Sequence, residues 1–209
     1  MKIVPPILIT GCPRSGKTLI ANILAISGAY FGKVDKMYEN AQYDALINTI
    51  KTLYEEHGQQ MIPQDFRDKV CSIIQKQGYK SGIWAIKHSD IALFWPVFQY
   101  AFPDAKVVLV RRDMSDIIYS CMHTSYMTQC NTKEEWRVYL SAYEVGMRDM
   151  IMVGGMNCKT IWPNRMTQGD YREVYELLEW LGLPWKSEIL SKIDPKFWKQ
   201  RKNKQLCQR

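Results

Sequence analysis

A glycine-rich octapeptide near the N-terminus has the residue types and spacing of a phosphate-binding loop. It satisfies the pattern G-x-x-x-x-G-K-[ST] in full and runs Gly11-Cys12-Pro13-Arg14-Ser15-Gly16-Lys17-Thr18. Its glycines allow successive backbone N–H groups to converge on an anion, and a helix beginning near Lys17 would add its positive end. A turn that binds nothing would leave Arg14 and Lys17 together without a counter-anion. We therefore predict that this loop binds phosphate.

A second candidate anion site follows the apolar run at 106–110. Arg111 and Arg112 come directly after the run, and Ser120 lies eight residues beyond Arg112. An arginine at a strand end and a hydroxyl two turns into the following helix can converge on one phosphate. A kinase would normally place an acidic residue here to hold Mg²⁺. Asp113 follows, but the two arginines favour a second anionic group over a metal.

The two segments together resemble those of the P-loop sulfotransferases, which use 3'-phosphoadenosine 5'-phosphosulfate (PAPS). The family pattern P-[KR]-S-G-[TK]-[TS] matches residues 13–18, and R-[DN]-P-x-D-x-x-x-S matches residues 112–120, with Met114 in place of the usual proline. Residues 84–88, 102–108 and 178–184 are also similar to family segments. Residues 38–48 resemble a segment of short bacterial and phage-type members. The likeness spans almost the whole chain.

The resemblance implies a role for each matching residue. The residues that it assigns to the 5'-phosphosulfate end of the donor are Pro13, Arg14, Ser15, Gly16, Lys17 and Thr18. Leu19 stands where cytosolic members often carry a tryptophan that stacks on adenine. Arg112 and Ser120 would bind the 3'-phosphate, and Arg201 and Lys202 are similar to a C-terminal pair that completes that pocket. No metal is expected.

Sulfuryl transfer requires stabilisation of charge at the leaving oxygen and removal of a proton from the acceptor. Arg14 and Lys17 can meet the first requirement. For the second, His88 has a suitable intrinsic pKa, and Glu39 lies where some sulfotransferases use a glutamate. Lys87 would hold the sulfonate or the acceptor. The base thus stays open between His88, Glu39 and an unassigned group.

The elements that must position these residues follow from hydrophobic patterning. Continuous apolar runs predict buried strands at 7–10, 83–86, 106–110 and 158–162. Helical periodicity predicts helices at 17–26, 42–54, 63–77, 91–102, 115–127, 133–153 and 171–181, the last closed by Gly182. Alternating strands and helices indicate an α/β three-layer sandwich with a mostly parallel sheet. Its ligand crevice should lie at the carboxyl ends of the strands.

Composition limits the remaining alternatives. The 209 residues carry a formal net charge of +7, but a basic tail at about 196–209 accounts for six of those charges. A basic groove for nucleic acid is therefore not supported. The length fits a single domain spanning residues 1–209. The six cysteines and three histidines show no metal-ligand spacing, and the cysteines are expected to be reduced.

The sequence also leads to expectations about where the protein is located and which reaction it catalyses. The longest uncharged apolar stretch is too short to cross a bilayer, and no signal-peptide pattern is present, so we expect a cytoplasmic protein. The preferred function is PAPS-dependent transfer to a hydroxyl or amine of a small-molecule or carbohydrate acceptor. A small-molecule or nucleotide kinase using ATP and Mg²⁺ and a catalytically silent nucleotide-binding domain are the alternatives. The sequence identifies neither the acceptor nor the oligomeric state.

Overall fold

A parallel β-sheet organises the fold. The computed structural model describes residues 3–58 and 61–193, and within them the sheet has four strands in the order β2-β1-β3-β4. The strands are β1 (Ile7–Thr10), β2 (Ala85–Lys87), β3 (Lys106–Val110) and β4 (Asn157–Ile161). All three pairings are parallel. The carboxyl ends of the strands therefore meet at one edge, as the sequence predicted.

Helices connect the strands. They are α1 (Lys17–Ile26), α2 (Ala41–His57), α3 (Phe66–Lys76), α4 (Trp95–Ala101), α5 (Met114–Met122), α6 (Lys133–Met152), α7 (Pro163–Met166) and α8 (Arg172–Leu181). Short 3-10 turns occupy Ser89–Ile91 and Ser187–Lys192. No helix in the described part of the chain is long and apolar enough to cross a membrane.

The sheet separates two apolar clusters, so the α/β three-layer architecture is confirmed. Leu8 and Val107 contribute to a cluster with residues of α2 through α6. Their chain neighbours Ile9 and Val108 contribute to a second cluster with residues of α1 and α8. This alternation explains why β1 and β3 are almost entirely apolar, because both faces of these central strands are buried, whereas the edge strand β4 is buried only at Ile161.

Some predicted boundaries were wrong. The segment predicted as one helix at 91–102 is a 3-10 turn followed by α4, whose first turn contains Pro96. Proline favours the start of a helix because it lacks the backbone N–H that would be unpaired there. The strand predicted at 83–86 is β2 at Ala85–Lys87, while Trp84 forms an isolated bridge with Tyr30. Lys87 is therefore inside the strand.

Helix caps fix the entry of the helices that approach the crevice. Asn40 accepts a hydrogen bond from the backbone N–H of Gln42 at the start of α2. Asp113 accepts from the backbone N–H groups of Ser115 and Asp116 at the start of α5. Such caps satisfy backbone donors that have no partner within the helix. At the other end of the domain, Gly182 is left-handed and closes α8, as predicted.

Gly146 allows α6 to pack closely against the segment before α4. A β-carbon added at Gly146 would lie 2.0 Å from the Ala92 carbonyl oxygen. We predict that Gly146→Ala lowers the free energy of unfolding by about 2 kcal/mol, because overpacking outweighs the better helix propensity of alanine. Urea denaturation would measure the change. Val138→Ala on the exposed face of α6 is the control, and an equally stable Gly146→Ala protein would contradict the prediction.

Candidate active site

Three strand ends and the loops that follow them enclose a cavity of about 470 Å³. The glycine loop, residues 11–18, follows β1; Lys87 ends β2; and Arg112 follows β3. Thr10 joins the first two strand ends, since its hydroxyl donates to the Ser89 carbonyl at 2.8 Å. The parallel sheet thus brings together residues from three distant parts of the chain.

The backbone of the glycine loop depends on its glycines. Gly16 precedes α1 with a φ of 102°, in the left-handed region that favours glycine. A β-carbon at Gly11 would lie 2.2 Å from the Val110 carbonyl oxygen, so the loop can pack against the end of β3 only with glycine there. Arg14 also has a positive φ, of 65°. Its carbonyl accepts a hydrogen bond from Arg112 Nη1 at 3.2 Å, which helps hold this conformation.

Two polar groups are buried within the glycine loop. Ser15 is fully buried, and among the described residues its hydroxyl has no hydrogen-bond partner. Lys17 is 6% exposed and donates to the carbonyls of Gly11 and Cys12 at 3.0 and 2.7 Å. Burial, followed by the nearby charge of Lys87, lowers the pKa of Lys17 to about 7. In the described part of the chain, no carboxylate forms an ion pair with this ammonium.

Arg14 links the glycine loop to α5. Its Nε donates to the Ser120 hydroxyl at 3.1 Å, and its Nη1 donates to the Tyr126 hydroxyl at 2.6 Å. Arg112 is nearly buried and lies on the same wall. The two candidate anion sites predicted from sequence are therefore adjacent, with Arg14 between them. Arg111, by contrast, forms an ion pair with Glu144 at 3.4 Å and lies outside the cavity lining.

Glu39 and Lys87 form an ion pair on the opposite wall. Lys87 Nζ lies 3.0 Å from Glu39 Oε1 and also donates to the Met37 carbonyl at 2.8 Å. The Lys87 side chain is 3% exposed, whereas that of Glu39 is 56% exposed. Both residues line the cavity. Glu39 therefore presents a carboxylate that is held in place on one side and reachable on the other.

His88 has a different environment, outside the cavity lining. Its Nδ1 accepts a hydrogen bond from the backbone N–H of Asp90 at 3.0 Å. The proton of the neutral ring is therefore on Nε2, which lies 3.5 Å from Asp44 Oδ1. Burial lowers the pKa of His88, although Asp90 and Asp44 act in the opposite direction. Neither nitrogen of the neutral ring therefore has a free lone pair to accept a proton.

The structure places the other expected residues as follows. Pro13, Gly16, Thr18 and Leu19 line the cavity, while Ser120 contacts it through Arg14. Arg201 and Lys202 lie outside the described residues. Sequence reasoning missed further lining residues, which are Asn22, Met37, Ser89, Tyr126, Met127, Thr167 and Lys192. None of them belongs to a motif, so no sequence signal could have found them.

The surroundings of Cys12 and Asp113 argue against thiol catalysis by Cys12 and against metal binding by Asp113. Burial, with Glu144 nearby, raises the pKa of the Cys12 thiol to about 12, so the thiol stays protonated at neutral pH. The Asp113 carboxylate accepts three hydrogen bonds at the start of α5, two from backbone N–H groups and one from the Ser115 hydroxyl. It caps a helix where a kinase would need a metal ligand.

The chain thus has an α/β fold with a glycine loop after the first strand of its parallel sheet and cations at the carboxyl edge of that sheet. Residues 5–187 match the family model described as Sulfotransferase family. The chain therefore belongs to the sulfotransferase family, and the family predicted from sequence is confirmed. No curated protein sequence matches the chain closely enough to add to this assignment.

Solved sulfotransferase structures share the fold. The sulfotransferase domain of the Synechococcus PCC 7002 olefin synthase has a TM-score of 0.62 at 14% identity, covering 95% of this chain and 87% of that one. The sulfotransferase domain from the curacin biosynthetic pathway has a TM-score of 0.61 at 13% identity, with 91% and 78% covered. STF9 of Mycobacterium avium has a TM-score of 0.54 at 14% identity, with 92% and 67% covered.

The lowered pKa of Lys17 leads to a prediction about proton uptake. At pH 8 the free protein holds Lys17 mostly neutral, because its pKa is about 7. A bound phosphate favours the charged ammonium, so binding should take up as much as about one proton. Calorimetry of 3'-phosphoadenosine 5'-phosphate binding in two buffers of different ionisation enthalpy would measure the uptake. Lys17→Met should abolish it, and equal heats in both buffers for the wild type would contradict the prediction.

Proposed function

We propose that the protein transfers a sulfuryl group from PAPS to a hydroxyl or amine of a small acceptor. The observation that carries the proposal is the adjacency of two cationic groups on one cavity wall. The first group is Lys17 with the glycine loop, and the second is Arg112 with Ser120. Arg14 belongs to the glycine loop and joins the two groups, because it donates to the Ser120 hydroxyl and its carbonyl accepts from Arg112. A nucleotide with phosphate at both its 5' and 3' positions matches that pair.

The residues present fit such a donor. The buried Ser15 hydroxyl has no partner among the described residues, and the buried Lys17 ammonium donates only to backbone carbonyls of the same loop. Both features suit a loop whose N–H and hydroxyl groups surround an anion. Residues 13–18 would hold the 5'-phosphosulfate, and Arg112 and Ser120 the 3'-phosphate. Bound there, PAPS supplies an activated sulfuryl group.

Lys17 and Arg14 would stabilise the charge that develops on the leaving phosphate oxygen. Lys17 donates to two carbonyls of its own loop in this structure. A neutral carbonyl is a weaker acceptor for an ammonium than a phosphate anion is. A buried ammonium interacts more strongly with an anion than an exposed one does, because water screens it less. The same burial that lowers the pKa of Lys17 therefore makes it effective in the transition state.

Glu39 is the residue that we propose as the general base. It lines the cavity, and its ion pair with Lys87 orients the carboxylate. His88 is disfavoured, because the Asp90 N–H occupies its Nδ1 lone pair and Nε2 carries the proton. In this arrangement Lys87 positions Glu39 and adds positive charge near the transferred group.

The acceptor is proposed by class only. We propose a small molecule or the end of a carbohydrate chain, bound next to the donor beside Glu39 and Lys87 on the cavity wall. A single domain spanning the chain and a cytoplasmic location remain predictions from sequence. The complete G-K-T sequence of the glycine loop is the feature that still favours a kinase.

Transfer of labelled sulfur tests the proposed function. PAPS labelled with sulfur-35 would be incubated with the protein, EDTA and pooled hydroxylated metabolites, and the products separated. We expect label to enter an organic product, or inorganic sulfate to be released slowly by transfer to water. Phosphate transfer from ATP that requires Mg²⁺, with no transfer from PAPS, would contradict the proposal and favour a kinase.

Two variants separate the candidate bases. Glu39→Gln should lower the rate of sulfuryl transfer by about a hundredfold or more, as expected for loss of a general base, with donor affinity little changed. His88→Asn should retain most of the rate. Steady-state rates and the calorimetric affinity for 3'-phosphoadenosine 5'-phosphate would be measured for both variants. An inactive His88→Asn together with an active Glu39→Gln would assign the base to His88.

A further inference from the structure

Tyr126 lies in the segment between α5 and α6 and belongs to none of the motifs found in the sequence. Its side chain lines the cavity, although the residue is 63% exposed. The Arg14 guanidinium lies 5.8 Å from the centre of its ring, and Arg14 Nη1 donates to its hydroxyl at 2.6 Å. An exposed tyrosine is thus fixed over a cation that the proposed function places at the donor.

Hydrogen bonds tie the Tyr126 segment to the end of α5. The Thr124 hydroxyl donates to the Ser120 carbonyl at 2.6 Å, and the Met127 backbone N–H donates to the Thr124 carbonyl at 3.0 Å. Arg14 also contacts Ser120 and Tyr126 with the same guanidinium. The Tyr126 hydroxyl is therefore positioned relative to Ser120, which lies at the proposed 3'-phosphate site.

The direction of the Arg14 hydrogen bond determines what the Tyr126 hydroxyl can still do. A guanidinium can only donate, so the tyrosine oxygen accepts from Arg14 and keeps its own proton. Among the described residues no acceptor takes that proton. A phosphate oxygen is a strong acceptor for such a group, and hydrogen bonds to an anion are stronger than those between neutral groups.

We propose that the Tyr126 hydroxyl binds the 3'-phosphate of the donor, beside Arg14, Arg112 and Ser120. The inference rests on the proposed function, because it concerns the same donor. It adds a neutral hydrogen-bond donor, from a segment outside the motifs, to a site of cations and one serine hydroxyl. Tyr126 therefore contributes to selection of a nucleotide with a 3'-phosphate over one without it.

Nucleotide affinities of two matched variants test this role. Tyr126→Phe removes the hydroxyl and keeps the ring over Arg14, while Tyr119→Phe makes the same change on α5 in a separate groove outside the cavity. Calorimetry would measure the affinities of both variants and the wild type for 3'-phosphoadenosine 5'-phosphate and for adenosine 5'-phosphate. We expect Tyr126→Phe to weaken only the first ligand, by about tenfold. Tyr119→Phe should change neither.

Three other results of the affinity measurements would contradict the proposed role of Tyr126. Equal weakening of both nucleotides by Tyr126→Phe would show that the hydroxyl only supports Arg14, and would overturn the proposal. Unchanged affinities would overturn it as well. If the wild type itself bound the two nucleotides equally, the proposed donor would be wrong and the inference would fail with it. Circular dichroism and the melting temperature of each variant would establish that it is folded.

Discussion

The rest of the site depends on burial of positive charge at the carboxyl edge of the parallel sheet. The Lys17 ammonium is almost fully buried, Lys87 lies near it, and within the described residues its hydrogen bonds go to backbone carbonyls. Burying a charge without an opposite charge is costly, and the lowered pKa of Lys17 expresses that cost. An anion bound by the glycine loop would offset it.

The sheet order produces this concentration of charge. Because β1 lies between β2 and β3, the ends of all three strands converge, and each carries a cation. Gly11 lets the loop after β1 pack directly against the end of β3, and the Arg112 side chain then reaches the Arg14 carbonyl. These two contacts stabilise the conformation of the glycine loop. Glu39 lies on the far wall of the cavity, where we propose that the acceptor binds.

Much of the fold followed from the sequence because its signals are local. The continuous apolar runs of β1 and β3 predict buried strands, and the glycine loop between β1 and α1 predicts its own conformation. The environment of His88 could not be predicted, because it depends on Asp44 from α2 and on the exact end of β2. The same holds for Tyr126, whose contact with Arg14 joins residues 112 positions apart. Long-range contacts of this kind have no periodicity or spacing to reveal them.

The change in melting temperature with added nucleotide tests whether the buried cations bind a nucleotide with a 3'-phosphate without a metal. A ligand that binds only the native state raises the melting temperature, and the increase grows with its affinity. We expect 3'-phosphoadenosine 5'-phosphate to stabilise the protein in the presence of EDTA, and to do so more than ATP with Mg²⁺ at the same concentration. Stabilisation by ATP with Mg²⁺ alone, with no effect of 3'-phosphoadenosine 5'-phosphate, would contradict this expectation.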